Sequence, residues 1–234
     1  MANFGFARLT VVAPYEPHWR EARSAVDAEE LLQDAKESST LSEAVRGCTL
    51  VIGTGTLTYR KAEQPVVPLP NLAPLVQQEL ARSGRIAMVF GPEKHGLTRD
   101  DLSYCHLMVE IPTDSRQPSM NLGQAVAVCL YELATRIFST NIEYAGPGTA
   151  SAIPAVAPSR NPAAAASGDL DLLARLIEET MTAAGYSPSV MQAANRHDLR
   201  LMLRRLAPNQ RDTRRILGVF RRILWRLGKT RKSE

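Results

Sequence analysis

Over the first 140 residues, short apolar or β-branched runs alternate with segments of helical periodicity, and this alternation leaves few folds open. Residues 8–13 (RLTVVA) fit a buried strand, and 49–53 (TLVIG), 85–90 (RIAMVF) and 107–111 (LMVEI) each fit a strand. Residues 28–35, 41–45 and 71–81 fit helices, the last with Pro70 at its start. Residues 121–138 form the longest helical segment, with Leu122, Val126, Cys129, Leu133 and Ile137 at helical spacing. Val128 and Leu130 make its other face apolar too, so this helix is expected to be mostly buried. Strands alternating with helices imply an α/β domain with a mostly parallel sheet.

Beyond residue 144 the pattern changes. Residues 145–168, AGPGTASAIPAVAPSRNPAAAASG, are rich in Ala, Pro, Gly and Ser. Proline removes helix donors and small residues offer little to bury, so the segment reads as a linker. It separates a domain over residues 1–144 from a smaller one over 169–234. The second lacks strand signals. Helical spacing runs over 169–184, 196–206 and 212–227, with Leu170, Leu173, Ile177 and Met181 on one stripe of the first. In the last, Ile216, Phe220, Ile223 and Leu227 take core spacing, flanked by Arg214, Arg215, Arg221, Arg222 and Arg226. The expectation is a small all-α domain with an arginine surface.

Charge divides the same way. Residues 169–234 carry 14 Lys and Arg against 7 Asp and Glu, while the remainder is slightly acidic. A basic surface rich in Arg suits an acidic polymer as partner. There is no run of 18 apolar residues and no secretory signal pattern, which sets the expectation of a cytoplasmic protein without a membrane span. The three cysteines (Cys48, Cys105, Cys129) and four histidines show no CxxC or HxxxH spacing, so no metal is expected.

Two familiar patterns fail. Gly53-Thr54-Gly55 follows a strand, but Thr58 stands where a dinucleotide fingerprint needs glycine. Gly228-Lys229-Thr230 resembles the tail of a phosphate loop, but Ile223 replaces its first glycine. More informative is Phe90-Gly91-Pro92-Glu93-Lys94-His95-Gly96-Leu97, where two glycines bracket a carboxylate at a strand's C-terminal end. Ligands of α/β sheets gather there. The last strand leads into Pro118-Ser119-Met120-Asn121-Leu122-Gly123. Ser119 or Asn121 can cap the following helix, whose N-terminus also offers N–H donors to a ligand.

The blocks VFGPEKHGLTRDDLSYCHLMVEIPT and SMNLGQAVAVCLYEL, and the spacing between them, resemble the second and third motifs of the SpoU family within the SPOUT superfamily. Asn3-Phe4-Gly5-Phe6 is similar to the end of the first motif. TLVIGTGTLTYRK at 49–61 is similar to the corresponding strand and loop of the TrmJ-like group, and the C-terminal helices of this chain resemble those of that group more weakly. The resemblance implies a SPOUT-type, mostly parallel sheet with a trefoil knot, followed by the small helical domain. The first strand and most of the first motif, including the Arg thought to activate the substrate hydroxyl, are expected to be missing ahead of Met1. The implied cofactor is S-adenosylmethionine, held by Thr54, Gly55, Thr56, Gly91, Ile111, Ser119, Met120 and Leu122. Pro118 departs from the family pattern and cannot donate a backbone N–H. The implied reaction is methyl transfer to a ribose 2′-OH of transfer RNA, at a pyrimidine of the anticodon loop. The alternatives are ribosomal RNA as substrate or a non-catalytic RNA-binding remnant. Glu93, Ser119 and Asn121 take catalytic roles by this resemblance, and Arg60, Lys61, Arg214, Arg215, Arg221 and Arg222 hold RNA. A homodimer is expected.

Overall fold

The structure is a computed structural model that describes residues 1–15, 19–21, 28–56, 62–138 and 163–230. Six strands and eight α-helices occur among the described residues. In chain order these are β1 (Thr10–Val12), α1 (Glu29–Gln33), β2 (Lys36–Ser38), α2 (Leu41–Ala44), β3 (Leu50–Thr54), β4 (Val66–Pro68) and α3 (Ala73–Ala81). There follow β5 (Ile86–Val89), α4 (Arg99–Ser103), β6 (Leu107–Glu110), α5 (Leu122–Phe138), α6 (Ser167–Ala183), α7 (Gln192–Leu206) and α8 (Gln210–Thr230).

The principal sheet has the order β4-β6-β3-β5, and every pairing in it is parallel. β6 follows β3 and β4 in the chain yet lies between them. β1 and β2 pair, also in parallel, as a separate ribbon. The α/β expectation with a parallel sheet is met.

Consecutive residues of β3 explain the layering. Val51 and Ile52 point to opposite faces and both are fully buried. Ile52 packs with Leu72, Val76, Val109, Cys129, Leu133 and Ile137, joining the sheet to α3 and α5. Val51 packs with Leu41, Val45, Cys48, Tyr104 and Cys105 on the other side. Helices on both faces are what a parallel sheet requires. All three cysteines are buried packing residues, and burial pushes the Cys105 thiol up to about 12.

Three elements carried no clear sequence signal. β2 (KES) forms through pairing with β1 rather than through propensity. β4 ends on Pro68, tolerated because β4 is an edge strand. α4 has five residues, fixed by a capping box in which Thr98 and Asp101 satisfy each other's backbone N–H groups. α5 corrects a sequence expectation. Cys129, Leu130, Leu133 and Ile137 are buried, but Val128 and Tyr131 on the remaining surface are exposed, and so is Leu122 at the N-terminal end of the buried stripe.

The helical part is docked onto the α/β part. Leu173, Ala174, Leu176, Leu203 and Leu217 form its own core. The start of α6 lies against α2 and the turn after it. The Ser167 N–H donates to the Cys48 carbonyl at 2.7 Å, the Gly168 N–H to the Arg46 carbonyl at 3.0 Å, and Ser42 Oγ to Asp171 at 3.0 Å. A Cβ on Gly168 would stand 2.5 Å from Arg46 Cγ, so only glycine permits this approach. Residues 163–168, read from sequence as linker, are therefore packed: Ala165 and Ser167 are buried and Ala164 bridges Asn209. The small side chains that suggested a linker are what let the backbone come close. The rest of that segment, 145–162, lies outside the described residues. No helix among the described residues is long and apolar enough to cross a membrane.

His106 ties β6 to β3. Its N–H donates to the Val51 carbonyl at 2.8 Å, and its Nδ1 accepts the Val51 N–H at 3.1 Å. That acceptor role requires the neutral ring. Burial, and then the Arg204 charge, hold its pKa at about 3, far below the ordinary 6.5. The unfolded chain takes up this proton first as pH falls. The contribution is therefore complete above pH 6.5 and is lost as pH falls towards 3, at up to about 1.4 kcal/mol per pH unit. Urea unfolding at pH 7, 6, 5 and 4 is expected to show this slope, and His106→Asn to flatten it.

Candidate active site

β3, β5 and β6 are neighbours and parallel, so the loops after them emerge together at their C-terminal ends. Hydroxyl groups join these loops. Thr54 Oγ1 donates to the Val89 carbonyl at 2.9 Å, tying the end of β3 to the end of β5. Thr56 Oγ1 donates to the Pro118 carbonyl at 3.1 Å, and Thr113 Oγ1 reaches the same oxygen at 3.3 Å. Pro118 therefore acts through its carbonyl, accepting from two of the three loops. Sequence reasoning weighed only its missing N–H. The threonines at 56 and 113 were the available signal.

The loop after β5 is closed by its two glycines. Gly96 has φ 64°, a left-handed conformation suited to glycine, and its N–H donates to the Pro92 carbonyl at 2.7 Å. Gly91 lies against the backbone of Gly96 and Leu97, and the Leu97 side chain is buried beneath. Glu93 projects from the exposed crest.

Asn121 links this loop to the next. Its Oδ1 accepts the N–H of Gly123 at 2.9 Å and that of Gln124 at 3.4 Å, so Asn121 rather than Ser119 caps α5. Its Nδ2 donates to Glu93 Oε1 at 2.5 Å. One side chain thus fixes the start of α5 and the orientation of the only carboxylate in the Gly91 loop. Ser119 is exposed nearby, and Ile111 and Met120 are half-buried. Leu122 opens the first turn of α5 and is 36% exposed.

The structure thus brings Thr54, Gly55, Thr56, Gly91, Glu93, Ile111, Ser119, Met120, Asn121 and Leu122 to the ends of three neighbouring strands. Arg60 and Lys61 lie outside the described residues. Arg214, Arg215, Arg221 and Arg222 form a separate exposed surface on α8. There the Arg222 guanidinium lies 4.6 Å from the Trp225 ring centre, an exposed aromatic that the sequence reading passed over. Among the described residues no group of three or more His, Cys, Asp or Glu is placed to hold a metal ion.

The chain is similar to known proteins. A TrmJ tRNA (cytidine/uridine/adenosine-2′-O-)-methyltransferase of Pseudomonas aeruginosa is 36% identical over 134 residues, 57% of this chain and 52% of that protein. The match thus spans about half the length of that relative. The TrmJ tRNA (cytidine/uridine-2′-O-)-methyltransferase of Sodalis glossinidius is 26% identical across the whole chain and 86% of its own length. The crystal structure of TrmJ from Z. mobilis ZM4 superposes with a TM-score of 0.76 at 25% identity, covering 95% of this chain and 89% of that one. The profile described as SpoU rRNA Methylase family matches residues 1–131, which contain all three strand-end loops. The chain belongs to the SpoU methylase family.

Proposed function

We propose that this protein transfers a methyl group from S-adenosylmethionine to the ribose 2′-OH of a transfer RNA nucleotide, a pyrimidine of the anticodon loop. The observation that carries the reading is the Asn121–Glu93 hydrogen bond, which joins two family motifs into one site. The substrate follows the TrmJ relatives, which are named for this reaction on transfer RNA.

The residues present fit the cofactor. Gly91 lets the loop after β5 close on its own backbone at the strand ends, and Ile111, Met120 and Leu122 offer apolar surface for a flat base. Thr54, Thr56 and Ser119 add hydroxyl groups. S-adenosylmethionine supplies an already activated methyl group, so the protein's task is alignment and removal of one proton. Glu93, steadied by Asn121, orients the ribose and takes part in moving the hydroxyl proton, with Ser119 beside it. Arg60 and Lys61 hold the RNA backbone near the site. The α8 arginines extend that hold, positioning without reading sequence. β6 lying between two earlier strands supports the trefoil knot. The exposed apolar surface of α5, with Val128 and Tyr131, supports a homodimer. A cytoplasmic location follows from the substrate.

The test is methylation of unmodified bulk transfer RNA by the full chain, with nucleoside analysis. The expected products are 2′-O-methylcytidine and 2′-O-methyluridine. Product on ribosomal RNA alone would overturn the substrate, and cofactor binding without product on either RNA would favour a non-catalytic role. Asn121→Ala removes both the cap and the Glu93 contact. Its expected result is a loss of about a hundredfold in turnover through misplacement of Glu93, with about 1 kcal/mol of stability, read by initial rates and thermal unfolding.

A further inference from the structure

α4 follows the Gly91 loop directly, and its single turn of helix is too short to hold its own position. Its place has to come from tertiary contacts, and α7 supplies many of them. Arg200 of α7 donates to Asp100 Oδ1 at 2.9 Å and to the buried Ser103 Oγ at 3.2 Å, and its guanidinium lies 4.2 Å from the Tyr104 ring centre. Glu63, ahead of β4, bridges the same two helices. One oxygen accepts from Arg99 at 2.9 Å and the other pairs with His197 Nε2 at 3.0 Å. Arg99, then His197, hold the Glu63 carboxyl below its usual range, so it is charged at neutral pH. Gln64 adds a bond to the Leu102 carbonyl at 2.6 Å. In the other direction, α4 and its N-cap Thr98 follow directly on Gly96 and Leu97, the backbone against which Gly91 lies.

We infer that Arg200 and Glu63 are positioning residues for the Gly91 loop: through them α7 holds α4, and α4 sets the backbone that supports Gly91 and Glu93. The helical part is then a structural member of the cofactor site as well as a basic surface. This rests on the reading that the Gly91 loop holds S-adenosylmethionine.

The test uses the full chain without RNA, and the variants Arg200→Gln, Arg200→Lys and Glu63→Gln. Hydrogen exchange is followed at the amides of Gly96, Leu102 and Tyr104, and S-adenosylmethionine affinity by calorimetry. Arg200→Gln and Glu63→Gln are expected to speed exchange at those amides while α6 and α8 keep their protection. Both are expected to weaken cofactor binding about tenfold, the equivalent of about 1.4 kcal/mol. Arg200→Lys, keeping the charge and one donor, recovers part of the affinity. Unchanged exchange and affinity would overturn the inference. So would faster exchange spread over every helix, or a loss confined to transfer RNA affinity, which would make Arg200 a phosphate contact. A wild-type chain that binds no cofactor overturns the cofactor reading alone, because the exchange pattern still decides whether α7 holds the loop.

Discussion

Asp171→Ala is expected to lower the unfolding free energy by about 3–5 kcal/mol. Asp171 and Arg204 are both buried, and Arg204 Nη2 donates to Asp171 Oδ1 at 2.7 Å and to Ser167 Oγ at 3.0 Å. The second Asp171 oxygen accepts from Ser42, so one carboxylate joins α2, α6 and α7. Removing it leaves a guanidinium in a site with little access to water. For a chain of this length the loss corresponds to a melting temperature lower by roughly 10 °C. The double variant Asp171→Leu with Arg204→Met removes both charges and is expected to be much milder, because desolvation opposes most of what a buried pair gains. Chemical unfolding of the two variants side by side checks the claim. Equal losses would show that packing, not the unpaired charge, dominates.

Gly91→Ala is the second large effect, and it falls on function. The new Cβ would stand 2.2 Å from the Gly96 carbonyl carbon and 2.3 Å from the Leu97 nitrogen. Both are backbone atoms in a loop anchored by the buried Leu97, so neither can turn aside as a side chain would. The loop must open, taking Glu93 out of reach of Asn121. The expected result is loss of cofactor binding by about a hundredfold, the equivalent of about 2.8 kcal/mol, with about 1–3 kcal/mol of stability from overpacking. Gly55→Ala is the control for steric bulk. Its Cβ would lie 3.3 Å from the flexible end of Met108, which can move, so its stability effect is expected to be small. Thermal unfolding separates the two variants, and calorimetry with S-adenosylmethionine reads the loss in Gly91→Ala against the unsubstituted chain.

The strands of the main sheet's interior were legible because burial on both faces leaves continuous apolar runs such as TLVIG and LMVEI. The helices of the C-terminal part were legible from their stripes, although α7 begins at Gln192, earlier than its periodicity suggests. β2 and β4 were not legible. Three residues of KES or VVP carry too little pattern, and their extended form is set by partners distant in sequence. The site was half legible. The glycines and the capping Asn121 follow from local chemistry, and the family resemblance marked Glu93. Neither showed that Asn121 and Glu93 bond to each other, because a contact across 28 residues depends on strand order. For the same reason residues 163–168 read as linker: the close approach of Gly168 to Arg46 exists only once α2 is in place.

The position of β6 between β4 and β3 has a kinetic consequence. β6 is the last strand of the sheet to be made, and both its neighbours precede it in the chain. β3 and β5 can pair early, but β4 has no partner among the described strands until residues 107–110 arrive. The sheet therefore closes at its interior, late, by inserting a segment between two others, and such long-range closure is slow. During synthesis, β4 is expected to wait for its partner among the described strands until β6 has left the ribosome. A refolding reaction interrupted early is expected to hold the β3–β5 pair protected and β4 still exposed.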